Sequence, residues 1–270
     1  MRKILLAATA VFAIAGSAQA ATNLVVNGGF ETNTLPPLGI EARTGLAYVG
    51  AEIDSHYLYN GAVTGWSTPS SANGQDYNLY FFDGDTAKLG NAASRYGGED
   101  QRPNVNFTGD SPQGGAFMVL DADPGFSGRF EQTVNGLVVG DTYNLSFYWA
   151  AGELSNRTGY ETSQLTGTFG SHAFATGIFA NSHPIGSPTA GLPGDFSGWQ
   201  LASFTFKADS TSQLLSFLAV GTPSGNLPPV AFLDGVSVTS VPEPAVWGLM
   251  MLGFGGLGAA ARRRRRLAAA

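Results

Sequence analysis

The stretch Tyr143-Asn144-Leu145-Ser146-Phe147-Tyr148-Trp149 places a large apolar side chain at every second position. A strand, whose side chains alternate between two faces, puts Tyr143, Leu145, Phe147 and Trp149 on one side. Gly140-Asp141 just before it is a turn signal. The pattern recurs in Leu201-Ala202-Ser203-Phe204-Thr205-Phe206, which sets Phe204 and Phe206 on a common face. Between Ala21 and Ser240 helical periodicity is nearly absent, and short β-rich runs alternate with clusters of Gly, Asn, Asp and Pro. The expected strands are 24–26, 78–82, 116–120, 128–134, 143–150, 164–169, 173–179, 200–206, 213–220 and 231–238. Many short strands with turn punctuation predict an all-β chain, an antiparallel β-sandwich or jelly roll. Residues 32–60 and 84–113 lack clean periodicity and read as long loops, where binding specificity usually lives.

Charge narrows the partners of this body. Residues 21–240 hold seven Lys and Arg against nineteen Asp and Glu, about −12, although the whole chain is only −6. Nucleic acid is disfavoured, because phosphates demand lysine and arginine. Solubility and cation binding are favoured. With no cysteine, no disulfide staples the fold. A body of this length buries a core without one.

Both ends carry export features. Arg2 and Lys3 precede an apolar stretch from Ile4 to Ala15 and a small-x-small site, Ala18-Gln19-Ala20. That layout predicts a signal peptide over 1–20, a helix cut by signal peptidase between Ala20 and Ala21. At the other end, Pro242-Glu243-Pro244 leads into an uncharged run from Ala245 to Ala261, then Arg262, Arg263, Arg264, Arg265 and Arg266. The run has 17 residues, the short end of what crosses a hydrocarbon core as a helix. Its arginine block would stay on the cytoplasmic side of the inner membrane and leave the body facing outward. An ordinary tail anchor is the plainer reading of such a segment.

This tail resembles the PEP-CTERM sorting signal of Gram-negative bacteria that make extracellular polysaccharide. The likeness runs through Pro242-Glu243-Pro244, Trp247, the Gly-rich apolar segment and the arginines; Val246 replaces the usual small residue before the tryptophan. The resemblance implies that a membrane-embedded exosortase recognises Pro242-Glu243-Pro244 and removes the tail. The body is then released or passed to an envelope acceptor. The implied organisation is signal peptide 1–20, sandwich 21–240 and sorting signal 241–270.

The body has its own ordered motifs. It opens with Asn23-Leu24-Val25-Val26-Asn27-Gly28-Gly29-Phe30-Glu31. Its middle carries Gly128-Arg129-Phe130-Glu131-Gln132-Thr133-Val134, and it closes with Phe232-Leu233-Asp234-Gly235-Val236-Ser237-Val238. This succession resembles the galactose-binding-like β-sandwiches, including carbohydrate-binding modules. The resemblance implies a jelly roll of eight or nine strands with its first and last strands near one another. It also implies a structural Ca²⁺ held by Glu31 and Asp234, with a backbone carbonyl near Asn27 or Gly29. Six to eight oxygens are needed, so carbonyls and water must complete the set. The alternative is that both carboxylates are turn or capping groups bonded to backbone N–H.

A sugar platform is not decided by the residues. Trp66, Tyr77, Tyr80, Trp149 and Trp199 are available, and Trp149 and Trp199 read as core. Trp66, in Gly65-Trp66-Ser67, matches a family position that serves packing, whereas Tyr57 and Tyr59 lie in a loop-like stretch. Catalytic patterns are weak. Asp121 with Asp123, or Glu99 with Asp100, are the carboxylate pairs a glycosidase would need. Gly109-Asp110-Ser111 has a superficial likeness to a serine-hydrolase block without its downstream Asp-x-x-His. His56, His172 and His183 have no metal-ligand spacing. The expectation is an exported, non-enzymatic protein that associates with exopolysaccharide in biofilm or floc formation. A structural surface protein without a glycan ligand is the second reading, and a secreted hydrolase the third.

Overall fold

The computed structural model describes residues 21–34, 46–50, 60–69, 76–81, 107–123, 125–152, 160–180, 196–222, 229–242, 253–256, 258 and 262. The signal segment, Tyr57, Tyr59, Glu99, Asp100, His56, His183, Glu243, Pro244, Trp247 and Arg263 to Arg266 lie outside them. Eleven strands run through the described residues: β1 (Leu46–Gly50), β2 (Tyr77–Phe81), β3 (Phe117–Asp121), β4 (Phe130–Asn135), β5 (Thr142–Gly152), β6 (Thr162–Phe169), β7 (His172–Ala175), β8 (Phe179–Ala180), β9 (Gln200–Lys207), β10 (Ser212–Thr222) and β11 (Val230–Ser240).

They form two sheets whose strand pairs are all antiparallel. One has the order β1-β2-β3-β11-β5-β9; the other runs β4-β10-β6-β7, with β8 also on β6. From β3 onward the chain crosses repeatedly between the sheets, so neither can form without the other. Their facing sides make one core. Tyr143, Leu145, Phe147 and Trp149 of β5 are all buried in it, as their alternation predicts, against Phe130, Phe169, Leu215 and Phe217 of the opposite sheet. Phe204 and Phe206 of β9 share that side, Phe206 buried and Phe204 half-buried.

The six-stranded sheet is also covered on its outer face. There Leu79, Phe81, Phe117, Val119, Ala150, Val230 and Phe232 pack against Phe107, Phe196 and Trp199 from the flanking segments. This explains why β3, Phe-Met-Val-Leu-Asp, is buried at every position. A strand buried on both faces reads as a continuous apolar run instead of an alternating one.

Three expectations need correction. Residues 24–26 are not a strand but run into a turn; Val25 opens a bend stabilised by Asn23, whose Oδ1 accepts the Val25 and Val238 N–H groups. Leu46–Gly50, placed in a loop, is strand β1, paired in register with β2. The single strand expected at 173–179 is two, β7 and β8, separated where the Thr176 hydroxyl caps the Leu165 amide. For the tail helix, the finding is limited to scattered helical residues from Gly253 to Arg262. Among the described residues no helix is long and apolar enough to cross a membrane.

Candidate functional site: a carboxylate pair at the bulge of the last strand

The opening segment lies alongside β11. Leu24 N–H donates to the Val238 carbonyl and Val236 N–H to the Gly28 carbonyl, both at 2.9 Å. Gly28 makes this approach possible, since any side chain there would overlap the Val236 carbonyl. The segment then turns sharply through Asn27 and Phe30, both at positive φ (53° and 61°). Such values are uncommon outside glycine, and the surroundings hold them in place. Asn27 bonds both ways with Thr32, and the fully buried Phe30 ring meets Trp66 and Phe130 edge-on. Trp66 itself stacks on Phe130 at 4.8 Å and donates its indole N–H to the Val26 and Asn27 carbonyls. The indole therefore serves packing and pins this turn, which delivers Glu31.

Asp234 arrives from β11 at an irregularity. Asp234 pairs with Tyr148 and Ser237 with Ser146, so Gly235 and Val236 together oppose Phe147. This is a β-bulge whose first residue, Gly235, has φ +61°. The bulge leaves Asp234 fully buried, on the side of the sheet covered by residues 107–116.

The structure brings Glu31 and Asp234 together around Gly29. A methyl built on Gly29 would lie 3.9 Å from Asp234 Oδ1 and 4.0 Å from Glu31 Cγ. Each carboxylate also accepts a backbone amide: Ala116 N–H to Glu31 Oε1 at 2.8 Å, and Gly235 N–H to Asp234 Oδ1 at 2.6 Å. Asp234 Oδ2 accepts the Ser111 hydroxyl, whose oxygen in turn accepts Gln113 N–H. Gly115 crosses so close to Glu31 that a side chain there would overlap its carboxylate. Sequence reasoning missed this third segment of the site: Asp110-Ser111 belongs with Asp234, and the likeness to a hydrolase block pointed elsewhere. The run Gly114-Gly115-Ala116 is the one signal of a tightly packed crossing.

Charge at the site is one-sided. Burial first, and then the neighbouring charges of Glu31 and Asp110, push the Asp234 carboxyl up to about 7, against the pull of the Ser111 and Gly235 hydrogen bonds. Tyr80, whose hydroxyl donates to the Phe30 carbonyl at 3.1 Å and accepts from Asn33, is pushed up to about 12, chiefly by burial. Glu31 and Asp110 are exposed while Asp234 is not, so the pair has a buried base and an open rim. Oxygen donors and surplus negative charge suit a hard divalent cation. Among the described residues no group of three or more acidic or histidine side chains is arranged to hold a metal, so carbonyls and water would supply most donors.

The remaining candidates sort by burial and bonding. Trp66, Tyr80 and Trp149 are buried and cannot present a stacking face. Tyr77 and Trp199 are half-buried and engaged: Tyr77 O–H donates to Asp121 Oδ2 at 2.9 Å, and Trp199 indole N–H to the Gly109 carbonyl at 2.9 Å. Tyr160, which the motif reading did not single out, is 59% exposed just before β6. Asp121 and Asp123 are held in a local turn, where Asp121 Oδ1 accepts Asp123 N–H and Asp123 Oδ1 accepts Gly125 N–H. His172 Nε2 lies 3.0 Å from the Lys207 carbonyl and 3.3 Å from Asp209 Oδ2, and Ser171 also bonds Asp209, so this trio clips a turn.

Comparison with known proteins gives the tail directly: residues 240–266 match the PEP-CTERM protein-sorting motif. The chain is 31% identical over 137 residues to Halomucin of Haloquadratum walsbyi, a match covering 50% of this chain and 1% of that protein. The chain thus spans about a hundredth of that relative's length. Among solved structures, similar folds include TmCBM61 in complex with beta-1,4-galactotriose (13% identity, 82% of this chain and 100% of that one, TM-score 0.33). Others are a CBM4 module (12%, 80% and 99%, 0.27) and the N-terminal cellulose-binding domain of a Cellulomonas fimi β-1,4-glucanase (15%, 47% and 80%, 0.26). These neighbours are carbohydrate-binding β-sandwiches.

Proposed function

We propose that the chain is an exported, non-catalytic β-sandwich, sorted by an exosortase at Pro242-Glu243-Pro244, whose body associates with exopolysaccharide of the envelope or its matrix. One observation carries the sorting part. The sorting motif occupies 240–266, and β11, the last strand, ends at Ser240. Among the described residues the last strand ends where the signal begins, so a cut near Pro242 leaves every strand in place.

The glycan part is supported by the ordered motifs of the body, from Asn23 to Glu31 and from Phe232 to Val238. Among the described residues Tyr160 is the exposed ring best placed for sugar stacking. It precedes the end of β6 that pairs with the end of β10, the end of the sandwich farthest from Ser240. A purified body should be retarded in native gels containing the host exopolysaccharide, and Tyr160→Ala should lessen that retardation. Absence of retardation together with altered cell aggregation on gene deletion would favour a structural surface protein instead. Release of reducing ends, lost on changing one carboxylate, would make it a hydrolase.

In the same reading Glu31 and Asp234 hold a structural Ca²⁺ that fastens the opening segment to the last strand. Support comes from their convergence at Gly29 and from the unbalanced charge there.

A further inference from the structure

The turn between β4 and β5 exposes two adjacent valines, Val138 at 56% and Val139 at 58%. Single exposed apolar residues are ordinary. A pair on a projecting turn is a different matter when the turn is held rigidly. Here Leu137 is buried in the core and its N–H bonds the Thr211 carbonyl. Val138 N–H donates to the Tyr143 hydroxyl at 2.9 Å, Gly140 N–H to the Ala208 carbonyl, and Asp141 N–H to the Val138 carbonyl. Gly136 and Gly140, at φ +83° and +89°, set the two ends of the turn. The valines are fixed facing outward and cannot collapse onto the sandwich.

The turn also lies at the end where the chain leaves the fold. Thr142, which follows it, accepts the Val241 N–H at 2.8 Å, one residue past the end of β11. The uncharged run begins at Ala245, four residues on. Four residues reach at most about 14 Å. When that run enters the bilayer, as the sorting reading requires, the end of β11 and the turn bonded to it are held within about 14 Å of the lipid surface.

We propose that Val138 and Val139 seat in the lipid interface while the sorting tail is attached, so that the body rests end-on against the membrane with Pro242-Glu243-Pro244 at headgroup level. Two valines bind a bilayer weakly on their own. Tethering by the tail makes the contact intramolecular, and cutting the tail removes it. The same turn therefore presents the substrate for processing and lets the product leave. The inference rests on the tail being a membrane segment.

The chain has no cysteine, so one introduced thiol can carry an environment-sensitive fluorophore. The full-length precursor bearing Val139→Cys would be reconstituted without exosortase in phosphatidylethanolamine–phosphatidylglycerol vesicles. Ile178→Cys serves as the comparison, because Ile178 is 69% exposed, apolar and next to β8, which pairs with the far end of β6. Leu257→Cys, within the apolar run, reports on the tail. The expected result is a blue-shifted emission, quenched by lipid-borne quenchers, at 139 and 257 but not at 178. A lipid signal at 257 with a watery one at 139 overturns the docking and leaves the sorting reading intact. A watery signal at 257 overturns both. A shift at 139 that appears only when exosortase is added overturns lipid seating in favour of a protein contact.

Discussion

The Ser111 hydroxyl donates a hydrogen bond to Asp234 Oδ2, joining residues 123 positions apart. It fastens the covering segment 107–116 over the bulge of β11, beside the aromatic layer of Phe107, Phe117 and Phe232. Local stability of this corner therefore depends on one buried carboxyl and the groups that satisfy it.

Ser111→Ala removes that donor and leaves a buried carboxylate oxygen unpaired. A loss of about 1–3 kcal/mol is expected. Denaturant unfolding measures it directly, and an unchanged midpoint would show that the bond contributes nothing.

Asp234 makes metal-free stability depend on pH. Its folded value, about 7, lies above the ordinary 3.8, so the folded state holds the proton more tightly than the unfolded chain. Stability falls as pH rises from about 4 to about 7 and then levels, by on the order of 4 kcal/mol at most. In EDTA, Asp234→Asn should flatten this slope. A wild-type midpoint that rises over the same window would contradict the assignment.

Calcium should act in the opposite sense. A ligand that binds only the folded state raises the thermal midpoint. Excess Ca²⁺ should raise it for the wild type at pH 7 and above, less at pH 5 where Asp234 is protonated, and not for Glu31→Gln or Asp234→Asn. A midpoint indifferent to EDTA and Ca²⁺ would leave both carboxylates as groups that bond backbone amides and nothing more.

Gly235→Ala tests the bulge. Its φ of +61° and a Tyr148 ring carbon 3.0 Å from the new methyl both oppose a side chain. Positive φ alone costs an alanine about 1–2 kcal/mol. The variant should lose at least that in unfolding free energy, together with any Ca²⁺ response, because Asp234 is aimed by the bulge.

The sequence was most legible where one face of a strand is buried. The alternation at Tyr143–Trp149 places β5 and its core face correctly, because period two has no other structural meaning there. It was least legible at the outer face of the six-stranded sheet. Phe107 and Phe196 lie in segments without periodicity, and nothing local says that they cover Phe117 and Phe232. The unbroken apolar run in β3 was the available hint of burial on both sides. The opening segment misled for a related reason: Leu24-Val25-Val26 has β-forming residues, yet Asn23, Gln132 and Trp66 bond its backbone into a bend. Glu31 and Asp234 could be paired through the resemblance of the body to galactose-binding-like sandwiches, which implies that the first and last segments lie side by side. Ser111 could not, since its role depends on a crossing that only the folded chain creates.

The central claim is sorting at the junction just past Ser240. The direct test is the intact mass of the protein recovered from its native envelope and medium, with and without exosortase. The account predicts a species beginning at Ala21 and ending near Pro242, which disappears when exosortase is absent. A chain still carrying its tail through Ala270 in the presence of exosortase would contradict it and make the protein simply membrane-anchored.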